Sequence, residues 1–195
     1  MTEEQKALAG LLYYAEEKEL STRRLYSQEL SFQYNRLSPM QTEERNEIIR
    51  REMKKTGKKF RIEEPFHCDF WDRVTLGENF FANYNLVILA GNEVVFGDNV
   101  MIGPNCGIYA AGHAFDHQRR AEGIEYALPI RIGDNVWIGG HVSIVSGVTI
   151  GSNSIIAAGS VVVSDIPSGV LAGGNPCRVI RTISSEDDNK YLNNE

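Results

Sequence analysis

Residues 130–159 read IRIGDNVWIGGHVSIVSGVTIGSNSIIAAG, and from Ile132 every sixth position is aliphatic: Ile132, Ile138, Ile144, Ile150, Ile156 and then Val162. A helix would repeat near 3.6 residues and a half-buried strand at 2, so neither period explains the stretch. A second apolar series sits two residues ahead of the first, at Val136, Val142 and Val148, and glycine follows the main aliphatic at Gly133, Gly139 and Gly151. Short β-favouring runs therefore alternate with turn pairs such as Asp134-Asn135 and Ser152-Asn153. A fixed six-residue period is the mark of a β-helix. Each short strand pairs with its equivalent one coil away, and each aliphatic points inward above the last. The alternative is an antiparallel sandwich, but an unbroken in-phase series of this length is hard to obtain from hairpins.

The phase extends upstream. Phe96, Ile102 and Ile108 lie in step, and an earlier set, Leu76, Ala82 and Ile88, is offset by two residues. A small bulge near residues 90–92 would absorb the offset. Between Ile108 and Ile132 the charged run AAGHAFDHQRRAEGIEYALP breaks the pattern. It reads as an excursion loop, about 110–129, thrown out from the coil, and loops of this length are commonly functional. It holds two of the four histidines, His113 and His117.

The flanks differ in character. Residues 3–33 read as helical, with Leu8, Leu11, Leu12 and Ala15 as one apolar face and Leu25, Leu30, Phe32 and Tyr34 as later bulk. Thr42 reads as the cap of a further helix bearing Ile48, Ile49 and Met53, stopped by Gly57. The expected organisation is a helical cap over 1–60, a coil domain over 61–183 and a polar tail over 184–195. The chain carries a net charge of −6, distributed unevenly: residues 1–64 hold 13 Lys+Arg against 12 Asp+Glu, and the remainder holds 7 against 14. An acidic repeat argues against a nucleic-acid surface. No apolar run is long enough to span a membrane and no signal pattern opens the chain, so a cytoplasmic protein is expected. Arg178 and Arg181 are the only Lys or Arg between Arg131 and Lys190. Their isolation suggests an anion partner, or else salt bridges to nearby carboxylates.

Cys68, Cys106 and Cys177 are too few and too scattered for a disulfide framework. Cys106 replaces an aliphatic of the second series and reads as core, while Cys177 sits in a turn and reads as able to face solvent. His113 and His117 are four apart, but no three-histidine zinc pattern is recognisable, and the expectation is no metal.

Taken together, AGLLY, RLYSQELSFQYN, PFHCDF, FFANYN, FGDNVMIGPN, the AGH of the excursion, PIRIGDNVWIGGHVSIVSGVTIG and AAGSVVVSDIPSGVLAGGNPCRVIR resemble the sugar O-acetyltransferases of the hexapeptide-repeat superfamily, the galactoside, maltose and nodulation-type enzymes. The resemblance covers about residues 7–183. It implies a mainly β fold, a left-handed parallel β-helix with an N-terminal helical segment, assembled as a homotrimer with active sites between subunits. It implies transfer of an acetyl group from acetyl-coenzyme A to a hydroxyl of a small sugar-like acceptor. It also implies roles for particular residues: His113 as general base, Asn83 as its catalytic partner, and Asp69, Asn83 and Tyr84 facing the acceptor. Trp137, Gly140, Ala158, Arg178 and Arg181 would face the coenzyme.

The chain departs from the family pattern on the acceptor side. Ala90 and Gly91 stand where an aspartate is usual, Trp71 follows CDF, and Ala15 and Glu17 are ambiguous against a further aspartate. The coenzyme side carries no such change. Two other function classes remain open from the sequence: a trimeric scaffold on the same fold, and a zinc lyase of the carbonic anhydrase type.

Overall fold

A computed structural model describes residues 1–188, so the polar tail expected over 184–195 lies mostly outside the described residues. The six-residue ruler becomes three parallel sheets forming the faces of a prism. One face holds β4 (Val74–Thr75), β7 (Val94–Phe96), β12 (Ile130–Ile132) and β15 (Thr149–Ile150). The second holds β2 (Phe60–Ile62), β5 (Phe80–Ala82), β8 (Met101–Ile102), β13 (Trp137–Ile138), β16 (Ile155–Ile156) and β18 (Val170–Gly173), with β19 (Arg178–Thr182) added antiparallel. The third holds β3 (Phe66–Asp69), β6 (Leu86–Leu89), β9 (Gly107–Tyr109), β14 (Ser143–Val145) and β17 (Val161–Val162). This is a parallel stacked-coil β-solenoid, not a sandwich.

Register explains both the ruler and its breaks. Ile132 lies opposite Ile150, Ile138 opposite Ile156 and Ile144 opposite Val162, so three hexads close one coil. Upstream, Ala82 pairs with Ile102 and Ile88 with Ile108, and these coils are two residues longer. The extra residues fall at a single corner, between the third face and the first. In successive coils that corner carries the 3-10 turn Trp71–Arg73, the Gly91-Asn92 step, and then the whole excursion. Ile88, Ile108, Ile138, Ile144 and Ile156 have no exposed surface, and Cys106 is core as read. The turn positions stack as well. Asn79, Asn99, Asn135 and Asn153 all have positive φ, and each amide donates to the next at 3.0, 2.9 and 2.9 Å. Asparagine tolerates that conformation better than most residues, which is why the turn pairs carry it.

The helical flank differs from the sequence reading. The stretch 3–33 is not one helix but α1 (Glu3–Leu8), β1 (Tyr13–Tyr14) and α2 (Lys18–Arg36). A capping box between Thr2 and Gln5 starts α1. Of the supposed apolar face, Leu8, Leu11 and Leu12 are exposed and only Ala15 is buried, because the chain is extended where a helical period was assumed. Leu25 and Phe32 are exposed too, whereas Leu30 and Tyr34 are core. The next helix, α3 (Thr42–Glu52), has Gln41 rather than Thr42 at its cap and ends before Gly57. Trp71 packs edge-to-face against Phe66, with centroids 5.2 Å apart, and Tyr34 meets Phe66 the same way at 5.8 Å. Its indole N–H donates to the Cys68 carbonyl at 2.9 Å. Trp71 is therefore core beneath α2.

The first coil has no coil before it, so β3 would expose unpaired backbone groups. Side chains of α2 take the place of the missing strand. Asn35 donates to the Phe66 carbonyl at 2.9 Å and accepts from its N–H at 2.8 Å. The Ser31 and Ser27 hydroxyls accept from Cys68 N–H and Phe70 N–H at 3.4 and 3.1 Å. At the far end, the antiparallel β19 covers β18. Replacing Asn35 by alanine leaves both Phe66 groups without partners in a half-buried place. We expect a loss of about 1–3 kcal/mol, read as a lower midpoint in urea unfolding.

Candidate active site

The excursion is not a free loop. Residues Ala111–His113 form β10, His117–Ala121 form α4, and Ile124–Ala127 form β11. Strand β11 pairs antiparallel with β10 on one side and with β1 on the other. The register sets Tyr13, Glu125 and His113 in a row across the three strands. The Tyr13 hydroxyl donates to Glu125 Oε2 at 2.8 Å, and His113 Nδ1 lies 3.7 Å from Glu125 Oε1. Buried Asn92, at the two-residue bulge, donates to the carbonyls of Ala7 and Ala127 at 2.9 and 3.1 Å. It thus ties the end of α1 and the base of the excursion to the same corner.

These residues open onto a cleft of about 510 Å³ whose walls include Tyr13, Arg24, Asp69, Gly91, His113 and Glu125. A larger groove of about 610 Å³ runs alongside between α2 and strands β3 and β6, and shares Arg24, Asp69 and Leu89 with it. Of the two, the smaller cleft is the one lined by His113, whereas the larger groove is lined by His67. Burial raises the Asp69 carboxyl to about 6, opposed by the Ala90 N–H that donates to it and by the nearby Arg73 charge. Burial, helped by the Glu125 charge and hydrogen bond, pushes the Tyr13 phenol up, so it stays a donor. At Gly91 a Cβ would stand 2.8 Å from the Ala111 Cβ and 3.5 Å from the Tyr13 hydroxyl. The position where the resemblance led one to expect an aspartate has no room for one here. The cleft instead carries the carboxyl groups of Glu16, Asp69 and Glu125, of which Glu125 is the one beside His113.

The other candidates lie elsewhere. Asn83 and Tyr84 form the turn between β5 and β6, with Tyr84 N–H donating to Asn83 Oδ1 at 2.8 Å. Gly140 and Ala158 occupy the equivalent turn in later coils, where the Gly159 N–H donates to the Gly140 carbonyl at 2.9 Å. At Gly103 in this stack a side chain is excluded, because a Cβ there would meet the Gly140 nitrogen at 2.5 Å. Trp137 projects from the adjoining face, half exposed. Arg178 and Arg181 are exposed on β19. Arg181 makes two contacts of 2.7 Å with Asp187, the carboxylate alternative for that residue. The Arg178 side chain donates to the Cys177 carbonyl at 2.8 Å.

Within one chain, therefore, the predicted site divides. His113 and Asp69 stand at one edge of the third face, and Asn83, Tyr84, Gly140 and Ala158 at the opposite edge. A four-residue strand separates these edges by roughly 13 Å. All three cysteines are buried, including Cys177, which the sequence reading took as able to face solvent. Burial raises their thiols, the reverse of what a nucleophile needs. Among the described residues no group of three His, Cys, Asp or Glu is placed to hold a metal ion, and no helix is long and apolar enough to cross a membrane. Sequence reasoning missed Glu125 and Tyr13. The one signal for Glu125 was the alternation of IEYA, which becomes a strand pairing the carboxylate with His113.

Residues 129–164 match the family described as bacterial transferase hexapeptide (six repeats), and residues 6–57 match the maltose acetyltransferase hexapeptide capping motif. The chain is 41% identical over 184 residues to the galactoside O-acetyltransferase of Escherichia coli, covering 94% of this chain and 91% of that one. Among solved structures, a galactoside acetyltransferase in complex with coenzyme A superposes with a TM-score of 0.94 at 40% identity, covering 100% of this chain and 97% of that chain. A maltose O-acetyltransferase from Clostridium difficile superposes with a TM-score of 0.92 at 46% identity, covering 95% and 99%. The chain belongs to the hexapeptide-repeat acetyltransferases of the galactoside and maltose O-acetyltransferase type, and it is an enzyme of that class.

Asp69 supplies a test of the cleft's electrostatics. Its folded carboxyl, raised to about 6 from an ordinary 3.8, holds a proton between those values that the unfolded chain has lost. Asp69 therefore favours folding at low pH, and the contribution is lost as pH rises through about 6. Asp69→Asn removes that fall. The unfolding free energy of the variant, measured in urea, should fall less than that of the wild type between about pH 4.5 and 7, by an amount on the order of 1–3 kcal/mol.

Proposed function

We propose that the protein transfers an acetyl group from acetyl-coenzyme A to a hydroxyl of a sugar or sugar-like acceptor, with His113 as general base, in clefts shared between the subunits of a cytoplasmic homotrimer. The observation that carries this reading is the division of the candidate residues. His113 and Asp69 lie at one edge of a face, and Asn83, Tyr84, Gly140 and Ala158 lie at the other. A rotationally symmetric assembly of prisms would bring the first edge of one subunit to the second edge of its neighbour.

The chemistry follows from what each group can do. A sugar hydroxyl is a weak nucleophile near neutral pH, so its proton must leave as it attacks. The imidazole of His113 takes that proton while the hydroxyl oxygen bonds to the thioester carbon. The resulting oxyanion needs a donor. Asn83 accepts from Tyr84 through its side-chain oxygen, which leaves its NH₂ free to donate, and a preorganised donor of this kind is worth about 3–4 kcal/mol. The carbon–sulfur bond then breaks, and the coenzyme thiolate takes the proton back from the imidazolium. No acyl-enzyme is needed, in keeping with three buried cysteines. The half-exposed Trp137 offers an apolar wall for the pantetheine arm, and Arg178 a charge for the nucleotide phosphates.

Two measurements test the reading. His113→Ala should lower kcat by about 10²–10⁴-fold, assayed as thiol release with a panel of galactosides, maltose and amino sugars, while KM for acetyl-coenzyme A stays near that of the wild type. If the variant kept half or more of its activity, the base assignment would fail. Asn83→Ala alone should also be nearly inactive. When the two variants are unfolded together and reassembled, roughly a quarter of the shared clefts should regain both residues. Recovered activity near that fraction supports a shared site, and none at all would place both residues in one subunit's cleft.

A further inference from the structure

We propose that Glu125 is a positioning residue for His113, gripped by the Tyr13 hydroxyl, so that the N-terminal segment sets the tautomer of the base. This rests on the reading of His113 as general base. Three observations carry it. The β1–β11–β10 register puts Tyr13, Glu125 and His113 side by side, with no intervening residue. One oxygen of Glu125 accepts from Tyr13 at 2.8 Å, and the other lies 3.7 Å from His113 Nδ1. The neighbouring position that could have carried a competing carboxylate is Gly91, where a Cβ would crowd Ala111 and Tyr13.

The two oxygens have different tasks. The Tyr13 bond fixes the direction of the carboxylate and consumes one of its acceptors. The free oxygen faces Nδ1 at a distance longer than a hydrogen bond, in an imidazole that is mostly exposed. Hydrogen bonds of catalytic groups often close only when substrate enters the cleft. Once closed, Nδ1 carries the hydrogen and Nε2 keeps its lone pair for the acceptor hydroxyl. A carboxylate on the far nitrogen also stabilises the imidazolium formed when that proton is taken. The other charged or titratable groups around the pair are Glu16, Arg24, Asp69, Tyr109 and Tyr126. Arg24 is engaged by the Ala15 carbonyl at 2.7 Å and by Glu16 at 3.1 Å, and the Asp69 carboxylate accepts from Ala90 N–H. Among the described residues none of these groups makes a hydrogen bond or ion pair with the imidazole, and the carboxylate facing Nδ1 is that of Glu125.

The arrangement gives the N-terminal segment a task beyond covering apolar surface. The same strand that supplies Tyr13 is anchored through Tyr14 N–H, which donates to Glu3 of α1 at 2.6 Å, and through Ala15 N–H, which donates to the Gly123 carbonyl at 3.0 Å. Tyr13 is thereby held on the sheet while its hydroxyl holds Glu125.

The test is nitrogen NMR of histidine-labelled protein, with the His113 signals assigned by their loss in His113→Ala. Wild type should show His113 mainly with hydrogen on Nδ1 when acetyl-coenzyme A and methyl galactoside are present. Glu125→Ala should move it toward the Nε2–H form and lower kcat by about tenfold, with KM for acetyl-coenzyme A changed less than twofold. Tyr13→Phe, which removes one oxygen atom and no bulk, should move the tautomer and kcat the same way by a smaller factor. An unchanged His113 tautomer in Glu125→Ala, judged against the unchanged signals of His67 and His141 as proof of folding, would overturn the proposal. Should Glu125→Ala shift the tautomer while His113→Ala remains active, the base reading fails and the coupling between the two side chains stands.

Discussion

Backbone pairing between successive coils is the interaction on which the rest of the molecule depends. Each strand is only two to four residues long and would be unstable alone. It persists because its N–H and C=O groups are paired above and below, and because the aliphatic beneath it is packed against its counterparts. A row of such strands has two open ends, and each end is closed differently. At the first, asparagine and serine side chains of α2 imitate the hydrogen bonding of an absent strand. At the last, the chain doubles back as β19. The cap over the first coil thus satisfies polar backbone as well as covering apolar surface.

The same pairing explains where the candidate site can lie. Inserted residues cannot enter a face without breaking the ladder, so they collect at a corner. One corner takes all the insertions in this chain: a 3-10 turn, then a two-residue step, then the excursion. Stacking the irregularities in successive coils builds a wall, and the cleft with His113 forms against it. Asn92 is buried in that wall and donates to both flanking segments. A buried amide so engaged is costly to replace, which suits a residue at the junction of the cap, the coil and the excursion.

The candidate residues come from two kinds of structure. Asn83, Tyr84, Gly140 and Ala158 occupy repeated turn positions, where one coil closely approaches the next. His113, Glu125 and Tyr13 belong to unrepeated elements, the N-terminal strand and the excursion, which form a sheet of their own outside the coil ladder. Of the departures from the family pattern, Ala15 lies just after the N-terminal strand, while Ala90 and Gly91 lie at the corner step of the coil, against Ala111 and Tyr13.

The solenoid, the buried aliphatic series and the two-residue slip near Ala90 were all legible in the chain, because a six-residue period has one economical structural solution, whereas His113 was singled out by the resemblance of its AGH and not by the period. The period is the same for either hand of winding, so handedness was not among them. The extent of the first helix was misread because Leu8, Leu11 and Leu12 mimic a helical face, while β1 exists only by pairing with a strand more than a hundred residues away. The excursion looked like a loop for the same reason: β10 and β11 have no strong local signal and are held by each other and by β1. Glu125 and Tyr13 gained their places only from that long-range register. Local periodicity, repeated coil after coil, wrote the scaffold into the sequence. The contacts that aim a side chain at His113 join distant segments once each, and only the folded chain brings them together.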